Sequence, residues 1–248
     1  MRLGIAIALA LVAIGFAIVG SSWLDRRPVQ RLLFLGHSLT YYNEMPAMVA
    51  KMADSADSPI RYEITMRPFP NASLEDHWRS RKSREILFQT DWDRVIVQPE
   101  RSYQQERQDS GLYRAGSGLL TGTGKGRPAV VISWLPAESG RREHNDATVR
   151  SEQFDVVQSN LRGLAYATGA DVIDVAGVWE AVLEEELPFS LYKDGNHPSL
   201  EGSYLAAPVV YASIGQADVT AVTYVPWGMR SDHAALLRDR VQAALARP

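Results

Sequence analysis

Two short segments carry residue types that could act together on a carbonyl group. Gly36-His37-Ser38-Leu39 offers a hydroxyl directly after an apolar run. A Ser at the end of a strand and the start of a helix can present both its Oγ and its backbone N–H to a cleft, aided by the positive end of the helix. Asp194-Gly195-Asn196-His197-Pro198 places an imidazole three residues after a carboxylate on a Gly-containing loop. The Asp can then orient the ring and stabilise its charged form. These are the residue types of a nucleophile, its base and an orienting acid. Each segment also has a plain structural reading. Ser is a favoured helix cap, and Asp, Gly, Asn and Pro are all turn formers.

The two segments stand near opposite ends of the chain, so only a fold can join them. Residues 31–35, 60–66, 94–98, 129–134 and 171–175 read as strands, most of them nearly continuous apolar runs. That is the pattern of parallel strands covered on both faces. Helical patterns over 44–54, 73–89, 147–168, 178–186, 200–214 and 231–246 alternate with them. The alternation predicts an α/β fold with a five-stranded parallel sheet, helices on both faces and right-handed crossovers. Ligands bind such sheets at the carboxyl ends of the strands. Residues 102–126, rich in Gly, Ser, Gln and Arg, read as a loop with a short helix, and no internal repeat is visible.

Taken together, the two segments resemble a known family. Phe34-Leu35-Gly36-His37-Ser38-Leu39 is similar to the first block of the SGNH (GDSL-like) hydrolases, usually Gly-Asp-Ser-Leu. Asp194-Gly195-Asn196-His197-Pro198 is similar to their last block, Asp-x-x-His-Pro, and the order and separation also match. The resemblance spans roughly residues 30–215. It implies a three-layer α/β/α flavodoxin-like domain, ester hydrolysis, and Ser38, Asp194 and His197 as catalytic residues. It also implies an oxyanion hole built from the Ser38 N–H and donors of two middle blocks, and here the chain departs from the pattern. The second block falls on Phe69-Pro70-Asn71-Ala72-Ser73-Leu74, which has no Gly, so the N–H of Asn71 would have to serve. Positive φ is costlier for Asn than for Gly, though Asn tolerates it better than most residues. The third block falls on Val97-Gln98-Pro99, where Gln98 offers the usual Asn's amide on a longer stem. His37 stands where the family has Asp, and His77 lies on a helix after the second block. Both are candidates for substrate binding, His37 also for local support of the turn.

Composition limits the remaining readings. The chain has 248 residues, 46% hydrophobic and 22% charged, enough for one α/β domain with a sizeable core. A net charge of −3 and the lack of a basic stripe interleaved with aromatics set nucleic acid aside as a partner. The lack of cysteine excludes disulfides, a Cys nucleophile and thiolate zinc sites. No H-E-x-x-H or other ligand spacing points to a metal, and no motif points to a cofactor. Gly122-Thr123-Gly124-Lys125-Gly126 is not a P-loop, because Leu119 replaces its first Gly and Gly126 its Ser or Thr. The G-x-S-x-G elbow of α/β-hydrolases is missing. His144, His233 and the Glu184-Glu185-Glu186 run read as solvated.

Residues 3–24 carry no charge, with Arg2 before them and Asp25, Arg26 and Arg27 after. A helix crosses a bilayer core with roughly 20 apolar residues. A cleaved signal has a shorter apolar stretch of roughly 7–15 and an A-x-A-like site, to which only Val19-Gly20-Ser21 comes near. Residues 1–28 are therefore expected to be a signal-anchor or signal peptide, with a buried first helix as the other reading, and 29–248 the catalytic domain. That places an exported domain at the membrane, or free in the periplasm or outside if the segment is cleaved. The expected activity is hydrolysis of a small acyl ester, with an acetyl group on a carbohydrate suggested by analogy of fold. An acyltransferase using the same site and a catalytically inactive binding module remain open.

Overall fold

The apolar runs pair side by side as five parallel strands in the computed structural model, which describes residues 25–89, 91–99, 111–137 and 147–246. The strands are β1 (Val29–Gly36), β2 (Arg61–Pro68), β3 (Arg94–Val97), β4 (Arg127–Ile132) and β5 (Asp171–Asp174). Their order is β2-β1-β3-β4-β5. This is the flavodoxin-type order, which reverses between β1 and β3 and opens a crevice at their carboxyl ends.

Side chains of successive strand residues point to opposite faces, which yields two cores. Leu32, Phe34, Ile96, Ala129, Val131 and Ile173 bury one face. Against it pack α2 (Met45–Ser55), α7 (Val175–Leu183), α8 (Leu200–Gly215) and α9 (Ser231–Leu245). Leu33, Leu35, Val95, Val97, Val130 and Ile132 bury the other. That face is covered by α3 (Leu74–Arg79), α4 (Arg81–Gln89), α5 (Gly111–Thr121) and α6 (Ala147–Thr168). A four-residue helix, α1 (Ser38–Tyr41), follows β1 directly.

Helix α8 is buried along most of its length and sits against the loop that precedes it. The closeness is set at Gly202, where a Cβ would stand 2.2 Å from the Leu191 carbonyl oxygen and 2.6 Å from the Trp179 ring. Trp179 in turn stacks on Trp134 with centroids 4.0 Å apart. Pairs of this kind contribute about 0.5–1.5 kcal/mol beyond burial. They hold the end of β4 beside the 184–199 loop.

The sequence-based elements need three corrections. The polar helical stretch 73–89 is two helices, because Ser80 takes extended angles (φ −68°, ψ 115°) and its Oγ accepts the Ser83 N–H at 3.3 Å, capping α4. Helix α7 begins at Val175, immediately after β5, because the Asp174 carboxylate caps it by accepting the Gly177 N–H at 2.8 Å. His233 is not solvated; its Nδ1 lies 3.1 Å from Glu201 Oε1 and its ring rests on Phe189. The expected short helix in 102–126 is α5. The N-terminal segment expected to anchor or export the protein, and His144, lie outside the described residues. Among the described residues no helix is long and apolar enough to cross a membrane.

Candidate active site

Ser38 opens α1 at the carboxyl end of β1, on one wall of the crevice between β1 and β3. Its hydroxyl does not cap a helix: the cap position is His37, and no side-chain cap bond forms there. Instead Ser38 Oγ lies 3.0 Å from His197 Nε2. The Ser38 N–H belongs to the first turn of α1, where a helix leaves its amides without intrahelical acceptors.

The Ser38 turn is braced from below and from the side. A Cβ at Gly36 would stand 2.0 Å from Thr40 Oγ1 and 3.3 Å from Gln98 Cβ, so only Gly lets β1 run this close to both. His77 is fully buried beneath the turn, its Nε2 3.3 Å from the Gly36 carbonyl and its Nδ1 3.2 Å from Ser83 Oγ. A carbonyl only accepts, so Nε2 carries the proton and Nδ1 accepts from Ser83. Burial lowers the pKa of His77 and keeps it neutral. His77, a substrate-binding candidate from its place in the sequence, thus faces inward here, with Leu74 on the same face of α3. His37 is also buried, with Nε2 3.3 Å from the Pro99 carbonyl, and so ties the turn to the segment after β3. This contact fits the local-support reading of His37.

His197 comes from a loop held at many points. Gly195 takes φ 77° at its apex. Asp194 Oδ1 accepts the N–H groups of Asn196 at 3.0 Å and His197 at 2.8 Å, and Oδ2 lies 2.8 Å from His197 Nδ1. These bonds, the His197 amide first, hold the Asp194 carboxyl down at about 2. An ionised carboxylate only accepts, so Nδ1 carries the imidazole proton and the Nε2 lone pair faces Ser38. The loop's base is pinned by a bridge between Tyr192 and Pro198 and by Lys193 N–H to the His197 carbonyl at 2.9 Å. The Ala137 N–H donates to the Gly195 carbonyl at 2.8 Å, which fastens the loop to the segment after β4.

The two middle-block residues end in different settings. Gln98 follows β3 and is buried; its Oε1 accepts from the Thr40 hydroxyl and its Nε2 donates to Ser133 Oγ at 2.6 Å. Thr40 and Ser133 are buried as well, and together they fix which way the amide points. Asn71 has φ 54° in the turn that runs from Phe69 to Ala72, closed by the Ala72 N–H on the Phe69 carbonyl at 3.1 Å. This is the backbone a Gly would supply, adopted by the residue type that tolerates it best. Asn71 is exposed and follows β2, next to β1 in the sheet.

Sequence reasoning missed Thr40, Tyr42, Asn43 and Ser133. Tyr42 stacks on the His197 ring with centroids 4.5 Å apart and planes 13° off parallel. For Ser133 a signal existed, since a polar residue at the end of an otherwise apolar strand run asks for a partner. The other three had none, because their partners lie far off in sequence.

The fold and this cluster define a flavodoxin-like α/β/α domain with a Ser–His–Asp hydrogen-bonded chain at its topological switch point. No protein-family model and no curated protein matches the sequence. Solved structures do match the fold. A DUF4886 family protein from Bacteroides uniformis superposes with a TM-score of 0.69 at 15% identity, over 89% of this chain and 96% of that one. A protein of Slackia heliotrinireducens assigned to the SGNH hydrolases gives 0.56 at 23% identity, over 75% of this chain and 100% of that one. The acetylxylan esterase Axe2 of Geobacillus stearothermophilus gives 0.57 at 17% identity, over 75% and 94%. The resemblance to the SGNH hydrolases read from the two motif blocks thus extends to the fold.

Proposed function

We propose that the protein is a serine esterase acting on a small acyl ester, with Ser38 as nucleophile, His197 as general base and Asp194 as its orienting acid. The observation that carries this reading is the unbroken chain Asp194–His197–Ser38, at 2.8 and 3.0 Å, joining segments from opposite ends of the sequence. His197 Nε2 takes the Ser38 proton as Oγ attacks the ester carbonyl carbon. The tetrahedral intermediate then collapses, its C–O bond to the alcohol breaks, and the imidazolium gives its proton to the departing oxygen. Water attacks the acyl-enzyme, losing a proton to the same Nε2. That proton returns to Ser38 Oγ as the acid leaves. Labelling with a fluorophosphonate, mapped to Ser38 by mass spectrometry, tests the assignment alongside hydrolysis of p-nitrophenyl acetate.

The oxyanion is held by the N–H groups of Ser38 and Asn71 and by the Gln98 amide. Gln98 Nε2 has two hydrogens, and Ser133 takes one of them. The Gln98→Ala enzyme is expected to lose about 100- to 1,000-fold in kcat, the usual cost of one such donor. An unchanged kcat, with thermal unfolding measured in parallel, would place the hole elsewhere.

An acetyl group on a carbohydrate is the substrate this reading favours, for two reasons. Axe2, one of the proteins that share the fold, is an acetyl-xylooligosaccharide esterase. Trp227 is 98% exposed on a turn closed by the Met229 N–H on the Pro226 carbonyl at 3.1 Å, with Gly228 at φ 87°. That turn abuts Leu200, three residues after His197. An exposed indole on that turn offers a face on which a sugar ring can stack. With Trp227→Ala, kcat/KM on an acetylated xylo-oligosaccharide should fall about tenfold relative to that on p-nitrophenyl acetate, the factor that ~1.4 kcal/mol of lost stacking gives. An unchanged ratio would remove Trp227 from the substrate's path.

A further inference from the structure

The connection between α1 and α2 is strained. Asn43 (φ 50°, ψ 26°) and Glu44 (φ 55°, ψ 38°) are consecutive left-handed residues, neither of them glycine. Both are exposed, so burial does not demand these residue types, and Gly would be the unstrained choice. Such backbone persists only where its surroundings hold it, and it gathers at functional sites.

What holds it is the loop that carries the base. Asn43 Nδ2 donates to the Ser199 carbonyl and to Ser203 Oγ, each at 2.9 Å, and lies 3.4 Å from the Pro198 carbonyl. The buried Ser203 hydroxyl donates back to the Tyr42 carbonyl at 3.3 Å. Tyr42 covers one face of the His197 imidazole, and Lys193 Nζ stands 5.2 Å from the centre of the Tyr42 ring. One turn therefore touches the imidazole and grips the backbone immediately after it.

The division of labour follows from which segments each bond joins. The Asp194 bonds fix His197 within its own loop. Ala137, and Trp134 whose Nε1 donates to the Asn196 carbonyl at 3.4 Å, fix that loop to the end of β4. Neither set fixes the imidazole relative to α1, where the nucleophile sits. Asn43, five residues after Ser38, does.

We propose that Tyr42 and Asn43 are positioning residues that clamp the His197 imidazole at hydrogen-bonding distance from Ser38 Oγ. The proposal rests on the serine-esterase reading above. Two variants of the full-length protein test it. Asn43→Gly keeps the left-handed backbone without strain and removes the side-chain bonds. Asn43→Asp keeps the shape and the tolerance for that backbone but puts an oxygen where the amide donated. Both are expected to lose about 10- to 100-fold in kcat on p-nitrophenyl acetate, as small misplacements of reacting groups do. KM should stay within twofold, and fluorophosphonate labelling of Ser38 should slow by the factor seen in kcat. The His197 ring-proton resonance of Asn43→Gly should shift and broaden. A kcat and a labelling rate both within twofold of wild type would overturn the clamp while leaving the esterase intact. If the wild-type protein neither hydrolyses the ester nor takes the label, the esterase reading fails. The clamp is then decided by the His197 resonance alone, and an unshifted, equally narrow signal in Asn43→Gly overturns it.

Discussion

Ser38→Ala is expected to lower kcat for p-nitrophenyl acetate by about 10⁴- to 10⁶-fold, the range seen when a serine nucleophile is removed from a working relay. The size follows from what the hydroxyl does: it forms the acyl bond, and no orientation of His197 can replace it. The variant should also fold normally. Ser38 Oγ makes no cap bond, and its partner is the imidazole rather than the backbone. Loss of activity with an unchanged unfolding temperature is therefore the outcome that identifies a nucleophile. The fluorophosphonate label should vanish in the same variant. Equal and substantial rates in wild type and variant would sink the assignment. Background rates in both, with no label on wild type, would instead favour a binding module that keeps the fold.

The sheet was legible because its strands are nearly uninterrupted apolar runs, and burial on both faces leaves that mark. The site was legible at its ends, since Ser38 and the Asp194–His197 pair are each defined by neighbours in sequence. At Asn71 the sequence raised the cost of positive φ for a residue other than Gly, and the backbone there takes φ 54°. His77 shows where local reading stops. On a short helix beside the site, an imidazole reads as a ligand contact, and nothing nearby in sequence reveals that Gly36 and Ser83 will enclose it. Asn43 fails for the same reason in reverse. Its exposed, polar surroundings read as a loop, and its partners at Ser199 and Ser203 come into reach only through the packing of α8.

Asp194→Asn should cost about 10⁴-fold in kcat, with little change in fold. The carboxylate has two tasks, one for each oxygen. Oδ1 takes the backbone N–H groups of Asn196 and His197, and Oδ2 takes the imidazole proton. In Asn only one of these atoms can remain an acceptor. The two backbone N–H groups claim it, so the amide NH₂ faces His197 Nδ1. Nδ1 must then accept, the ring proton moves to Nε2, and Nε2 can no longer receive the proton of Ser38. The loss is thus one of tautomer, and it should appear in kcat with the loop still formed. The pH dependence has a defined sign. The carboxyl is held down at about 2, below its ordinary value of 3.8, so its contribution to the native loop is present above that ordinary value and fades as pH falls toward 2. Asp194→Asn should therefore abolish only the lowest part of any acid transition in stability. Because the three residues act as one unit, combining Asp194→Asn with Ser38→Ala should lower kcat no further than Ser38→Ala alone. A double variant slower by the product of the two single losses would mean that Asp194 acts through some group other than His197.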